Sequence, residues 1–152
     1  MSIKGVSFRV PQGRTDLLQE ILDGIDVQML FWYNVESQNE VWSIPQYEDF
    51  FRKEHYDGVS FYEQIRQPHL VVFLKLQAYL KEEKYVNIHT YDEFTKSSCL
   101  FLLLIYDCEF VEIFSKDVSI TKILFDNACS KGFLETVLIT DENDGRTKMD
   151  IL

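Results

Sequence analysis

Residues 99–106, which read "CLFLLLIY", constrain the fold of this chain more than any other stretch. Successive side chains of a β-strand point to opposite faces, so a strand that is apolar throughout has to be covered on both sides. We therefore expect 99–106 to be a central strand of a sheet. The same run is far too short to cross a bilayer as a helix.

The chain length of 152 residues suits a single globular domain, residues 1–152.

The other elements follow from hydrophobic spacing. Residues 70–80 alternate between an apolar face and a mixed face that carries Lys75 and Gln77, which predicts a long strand. The remaining predicted strands are 3–10, 28–36, 40–44, 85–89, 109–115, 134–140 and 146–152. The predicted helices are 16–23, 45–54, 61–66, 91–96 and 118–131. Together they indicate an α+β fold, with a mixed β-sheet of about six to eight strands and helices packed mainly on one face.

The order of elements also suggests an internal duplication. Residues 1–43 and 109–152 both read strand, helix, strand, turn, strand, which is a βαββ pattern. The two halves share too little sequence to establish the repeat, so it remains a hypothesis.

The charge of the chain limits its partners. It carries 25 acidic and 15 basic residues, a formal net charge of −10. Nucleic acids and anionic membranes bind surfaces with concentrated Lys and Arg, so we expect neither as a partner. A basic protein partner or a second copy of the chain is compatible with this charge.

The cysteines and histidines point to a cytoplasmic protein without a cofactor. Cys99, Cys108 and Cys129 are odd in number and widely spaced, which favours free thiols in a reducing compartment. The start of the chain lacks the apolar segment of a signal peptide. None of the three histidines has a His or Cys at zinc-ligand spacing, and we expect no metal and no organic cofactor.

No catalytic signature stands out in the sequence. Glu112 lies between two phenylalanines of a predicted strand, where a carboxylate with a raised pKa could act as an acid or base. The alternative is an edge-strand residue that faces water or pairs with Arg146 or Lys148. His89 with Asp92 and Glu93 forms a second acid–base cluster, although acids at a helix start normally interact with the helix dipole. "DENDG" (141–145) fits a hairpin turn better than a calcium loop.

The aromatic stretch that includes Phe31, Trp32 and Tyr33 suggests a contact surface. In a strand, Phe31 and Tyr33 would face the helices and Trp32 the open side of the sheet. Trp42 on the returning strand could lie beside Trp32. The two tryptophans either shield the open face or form a contact patch for a protein partner, because Trp is a favoured interface anchor.

Three stretches resemble a known family. They are "KGVSFRVP" with "LLQEILDGID" near the start, "EFVEIFSKD" at 109–117, and "ITDENDGRTKM" at 139–149. Together they are similar to a family of small uncharacterised bacterial proteins that is known only as a domain of unknown function. The resemblance covers nearly the whole chain and implies a bacterial cytosolic protein, without supplying an activity or functional residues.

We therefore expect a non-catalytic interaction protein, of the immunity or adaptor type, that uses an acidic, aromatic surface. Two alternatives stay open: a small-molecule binding domain, and an enzyme with a diffuse Asp/Glu/His site.

Overall fold

A single antiparallel sheet organises the protein in the computed structural model, which describes residues 2–144 and 148–151. Its eight described strands are β1 (Ile3–Arg9), β2 (Phe31–Asn34), β3 (Glu40–Ser43), β4 (His55–Tyr56), β5 (His69–Tyr79), β6 (Cys99–Tyr106), β7 (Phe110–Ser115) and β8 (Leu134–Thr140). Their order is β4-β2-β5-β6-β7-β1-β8, and β3 pairs with the first half of β5. All of these pairs are antiparallel rather than mixed. The α+β class and the number of strands are confirmed.

Four α-helices and two short 3₁₀ helices, Val27–Met29 and Glu36–Gln38, complete the described part of the chain, and side-chain caps determine where three of the α-helices begin. The helices are α1 (Leu17–Ile21), α2 (Gly58–Ile65), α3 (Tyr91–Lys96) and α4 (Val118–Ser130). Asp57 and Asp117 cap α2 and α4, each accepting a backbone N–H at 2.8 Å. Thr90 caps α3 by accepting the backbone N–H of Glu93 at 3.1 Å. Helix α2 begins earlier than the predicted 61–66 because Asp57 is its cap.

Three of the helices pack on one face of the sheet, which we call the helix face. Helices α1, α2 and α4 bury Leu18, Phe61 and Leu124 against it. The strands contribute a large apolar set to this face, including Phe8, Trp32, Leu76, Phe101, Leu103 and Ile113. The predicted placement of helices mainly on one face is confirmed.

The opposite face of the sheet, which we call the second face, is partly covered. Helix α3, the preceding loop and the described end of the chain bury Ile88, Phe94 and Met149 there. They pack on strand residues that include Tyr79, Leu102, Leu104 and Phe114. Because β6 has a covered layer on each side, residues 101–105 are all fully buried, and the predicted central strand is confirmed.

Three predicted elements are not formed by the described residues. Residues 45–54 form a loop and not a helix, since Phe50 N–H bonds back to Val41 and Ser43 N–H bonds to Glu48. Residues 85–89 belong to no strand. Of the predicted closing strand 146–152, residues 146, 147 and 152 lie outside the described residues. Residues 148–151 form no strand, although Lys148 makes one bridge to Thr90.

The topology does not repeat, so the duplication hypothesis is wrong. Strands β7 and β8, which α4 connects, lie on either side of β1. Strands β1 and β2, which the segment with α1 connects, are separated by β7, β6 and β5. The same order of elements along the chain therefore produces two different connections in space.

The three cysteines differ enough in exposure to be distinguished by their reactivity. Cys129 is exposed, Cys108 is half-buried and Cys99 is buried, and none forms a disulfide. Burial raises the pKa of the Cys99 thiol to about 12. We expect a thiol reagent to modify Cys129 rapidly in the native protein and to reach Cys99 only in denaturant, with three thiols in total. A Cys99 that reacts as fast as Cys129 in the native protein would contradict the buried position of β6.

Candidate functional site

The structure places Trp32 in the core, contrary to the predicted open face. Its ring stacks on Phe61 of α2, with centroids 4.3 Å apart, and meets Phe101 edge-on at 5.5 Å. Its indole N–H donates to the carbonyl of Val27 at 3.1 Å, so the polar atom is satisfied inside. Tyr33, on the other side of β2, keeps a partly exposed ring. The large ring is thus buried under a helix, and the ring with a hydroxyl lies near water.

Trp42 lies far from Trp32. Trp32 is opposite Ala78 on β5, and Trp42 is opposite Leu70. Eight residues of extended strand separate these positions by about 26 Å. Trp42 is half-buried and its indole N–H donates to Glu40 at 3.2 Å. The prediction that the two tryptophans form one patch is wrong, because their strands pair with opposite ends of β5.

A different aromatic group lies at the β4 side of the second face. The rings of Tyr33 and His55, opposite each other on β2 and β4, stack at 5.2 Å with an interplanar angle of 11°. Tyr85 stacks on His55 at 5.3 Å and lies 6.1 Å from Tyr33. We call these three residues the aromatic edge. Tyr79 extends the stack inward, 4.4 Å from Tyr85.

A cavity of about 510 Å³ opens beside the aromatic edge. We call it the edge cavity. It is lined by Tyr33, Val35, Glu36, Ser37, Glu54 and Asn87. Neither carboxylate in this set forms an ion pair with a described residue. The side-chain oxygen Oδ1 of Asn87 is buried and accepts no hydrogen bond from the described part of the chain. The cavity therefore combines an aromatic wall with hydrogen-bond acceptors.

Two buried polar side chains hold this site in place. Asn34, at the end of β2, donates from its backbone N–H to the carbonyl of Glu54 at 2.9 Å, and from its amide Nδ2 to the same oxygen at 3.3 Å. Gln77 of β5 donates to the carbonyl of Val86 at 2.9 Å and accepts from the N–H of Ile88 at 2.9 Å. These bonds fix the loop with Glu54 and the segment with Tyr85 and Asn87 on either side of Tyr33.

The site is electrostatically negative. Burial raises the pKa of the Tyr33 hydroxyl, and the charge of Glu54 raises it further. Burial also raises the pKa of Tyr85, and the charges of Glu82 and Glu83 add to that effect. The carboxylates thus act on the aromatic edge itself.

A second cavity, of about 520 Å³, flanks the other side of His55. Its charged lining residues are Lys53, Asp57, Glu82, Glu83 and Lys84, so acids and bases nearly balance there. Asp57 is already engaged as the cap of α2, which lowers its pKa through the backbone hydrogen bond from Ser60. The excess of negative charge therefore lies at the edge cavity.

A buried ion pair occupies the middle of the second face. Lys75 is fully buried, and its Nζ donates to Asp150 at 2.9 Å and to the carbonyl of Ile88. Burial lowers the pKa of Lys75, against the hydrogen bond and charge of Asp150. Asp150 also accepts from the Gln38 amide at 2.7 Å and contacts His89 Nδ1 at 3.0 Å. This network anchors residues 148–151 to the sheet.

The predicted acid–base cluster of His89, Asp92 and Glu93 does not converge. The ring of His89 contacts Asp150, whereas Asp92 pairs with Lys96 at 2.9 Å on the exposed side of α3. Glu93 accepts the backbone N–H of His89 at 2.9 Å. The two acids thus stabilise the first turn of α3, which is the alternative interpretation given for them in the sequence.

Glu112 lies on an internal strand, between β6 and β1, and not on an edge. The hydroxyl of Tyr106 donates to its Oε1 at 2.8 Å. It lines a cavity of about 340 Å³ with Arg9, Tyr106 and Phe110 on the uncovered part of the second face. The predicted partner Arg146 lies outside the described residues.

Within residues 2–144 and 148–151, no group of three His, Cys, Asp or Glu residues is placed to hold a metal ion. None of the described helices is both long and apolar enough to cross a lipid bilayer.

The fold places the chain among small α+β proteins that are built on one antiparallel sheet. Residues 3–150 match the family described as protein of unknown function (DUF2691), and the chain belongs to that family. It is 31% identical to the uncharacterized protein YncE of Bacillus subtilis (strain 168) over 151 residues, which covers 97% of this chain and 99% of that protein. No solved structure matches the chain.

Proposed function

We propose that this protein is a non-catalytic interaction protein that binds a basic segment of a partner protein at the aromatic edge and the edge cavity. The observation that carries the proposal is the pairing of partly exposed stacked rings with two carboxylates, Glu36 and Glu54, that no described cation neutralises. Aromatic rings supply contact area at low entropic cost. The carboxylates attract a basic peptide chain and fix its position along the site. The three free cysteines support a reducing, cytoplasmic location.

A basic partner is favoured over a second copy of this chain. A second copy carries the same net charge of −10, which opposes association through an acidic surface. Strand β8, the long edge of the sheet, is interrupted by a bulge at which Glu135 has a φ of 54°. The turn after β8 covers the end of this edge, since Asn143 bonds to the Thr140 N–H and the Leu138 carbonyl. A bulge and a covered strand end both discourage the edge strand of one molecule from pairing with that of another.

The test uses a short synthetic peptide of alternating arginine, lysine and glycine, with calorimetry as the readout. The double variant Glu36→Gln/Glu54→Gln should weaken binding about tenfold, because two carboxylates at the contact are lost. The control is Glu63→Gln/Glu142→Gln, which removes the same charge from exposed positions outside the cavity. We expect this control to change the affinity by about twofold or less, since only long-range attraction is reduced.

Two results would overturn the proposal. One is a wild-type protein that fails to bind the peptide at low salt. The other is an equal loss of affinity in the two double variants, which would mean that the peptide responds to the net charge and not to this site.

A further inference from the structure

We infer that the edge cavity receives an arginine side chain of the partner, in preference to lysine. This inference rests on the proposed function and specifies the chemistry that the same site recognises. Its basis is the combination of groups that line the cavity: the carboxylates of Glu36 and Glu54 and the ring of Tyr33.

The polar side chains that line the cavity are matched to a donor-only group. Glu36 and Glu54 are acceptors when ionised, and the buried Asn87 Oδ1 has no donor among the described residues. A guanidinium carries five N–H donors and no acceptor, spread in a planar fork. It can therefore bond to both oxygens of one carboxylate at once, whereas a lysine ammonium presents a single compact centre.

The aromatic wall adds a second reason for arginine. Tyr33 lines the cavity and is half-buried, so part of its ring surface is open to an occupant. A planar guanidinium stacks on such surfaces and sheds water more readily than an ammonium does. The nearby charge of Glu54, which acts on Tyr33, makes the ring surroundings more attractive to a cation.

The experiment compares three peptides that differ at one central position: arginine, lysine or citrulline, which has the shape of arginine without its charge. We expect the arginine peptide to bind about tenfold more tightly than the lysine peptide, and the citrulline peptide to bind more weakly than both. In Glu54→Gln, which removes the lining carboxylate whose charge acts on Tyr33, the preference for arginine should fall to about threefold or less, whereas Glu63→Gln, at an exposed position outside the cavity, should leave it unchanged. Circular dichroism checks that each variant is folded.

The outcomes separate the two proposals. Equal binding of the arginine and lysine peptides, with Glu36→Gln/Glu54→Gln still weakening both, would overturn the arginine inference and leave the proposed function intact. An arginine preference that is unchanged in Glu54→Gln would also overturn the inference. If none of the three peptides binds to the wild-type protein, both proposals are wrong.

Discussion

Replacing Trp32 with alanine is expected to lower the free energy of unfolding by about 3–5 kcal/mol, the range for large aromatic residues removed from a core. The substitution deletes the stack on Phe61 at 4.3 Å and the edge contact with Phe101 at 5.5 Å. It also leaves the carbonyl of Val27 without the indole N–H that it now accepts. Urea unfolding of the purified variant measures the loss.

Trp42→Ala is the matched control. Trp42 is half-buried and its indole bonds to Glu40 near the surface, so we expect a loss of about 1 kcal/mol or less. In the variant Trp42→Phe, the remaining fluorescence should come from Trp32 and resist quenching by acrylamide. Strong quenching, or similar losses of stability in the two alanine variants, would show that Trp32 is not a core residue.

The second large effect is expected at Asp150. Asp150→Asn should cost about 3 kcal/mol, because it leaves the fully buried Lys75 without its counter-charge. Adding Lys75→Met should recover much of that loss, since no buried charge then remains. Asp92→Asn serves as the control: its pair with Lys96 is largely exposed and should contribute less than about 1 kcal/mol.

The stability that Asp150 provides should depend on pH in a defined direction. Although burial favours its neutral form, hydrogen bonds from Lys75, Gln38 and His89 lower its pKa to about 2, from an ordinary value of 3.8. A carboxyl whose folded pKa is depressed stabilises the fold fully above its unfolded pKa and loses that contribution as the pH falls. The difference in stability between the wild type and Asp150→Asn should therefore be constant above about pH 5 and shrink towards pH 2. A difference that does not shrink would contradict the ion pair.

Much of the architecture could be predicted because each strand carries its own pattern. The unbroken apolar run of β6 and the alternation of β5 specify buried strands without reference to any other residue. Helix α4 has both its apolar stripe and its cap residue, Asp117, in the local sequence. The loop at 45–54 was missed because its backbone hydrogen bonds go to β3, which local spacing does not reveal.

The site was harder to predict because it is assembled from distant segments. The sequence pointed to an acidic, aromatic surface, but alternation along β2 could not tell which of its faces lies under the helices. Trp32 was assigned to the wrong face for that reason. His55 and Tyr85 join Tyr33 only through the pairing of β4 with β2 and through Gln77, whose buried amide holds the segment of Tyr85. Asn34, which follows Trp32 on one face of β2, and Gln77, on the mixed face of β5, were the local signal that something had to be anchored there.

The central claim is that a basic segment binds at the aromatic edge, and chemical-shift mapping tests it most directly. At 18.0 kDa, the protein is small enough for an amide correlation spectrum at each step of a titration with the arginine peptide. We predict that the largest shift changes cluster at Tyr33, Glu36, Glu54 and Asn87, with His55 and Tyr85 next. Changes centred instead on Arg9, Tyr106 and Glu112 at the other end of the second face, or changes spread evenly over the surface, would contradict the claim.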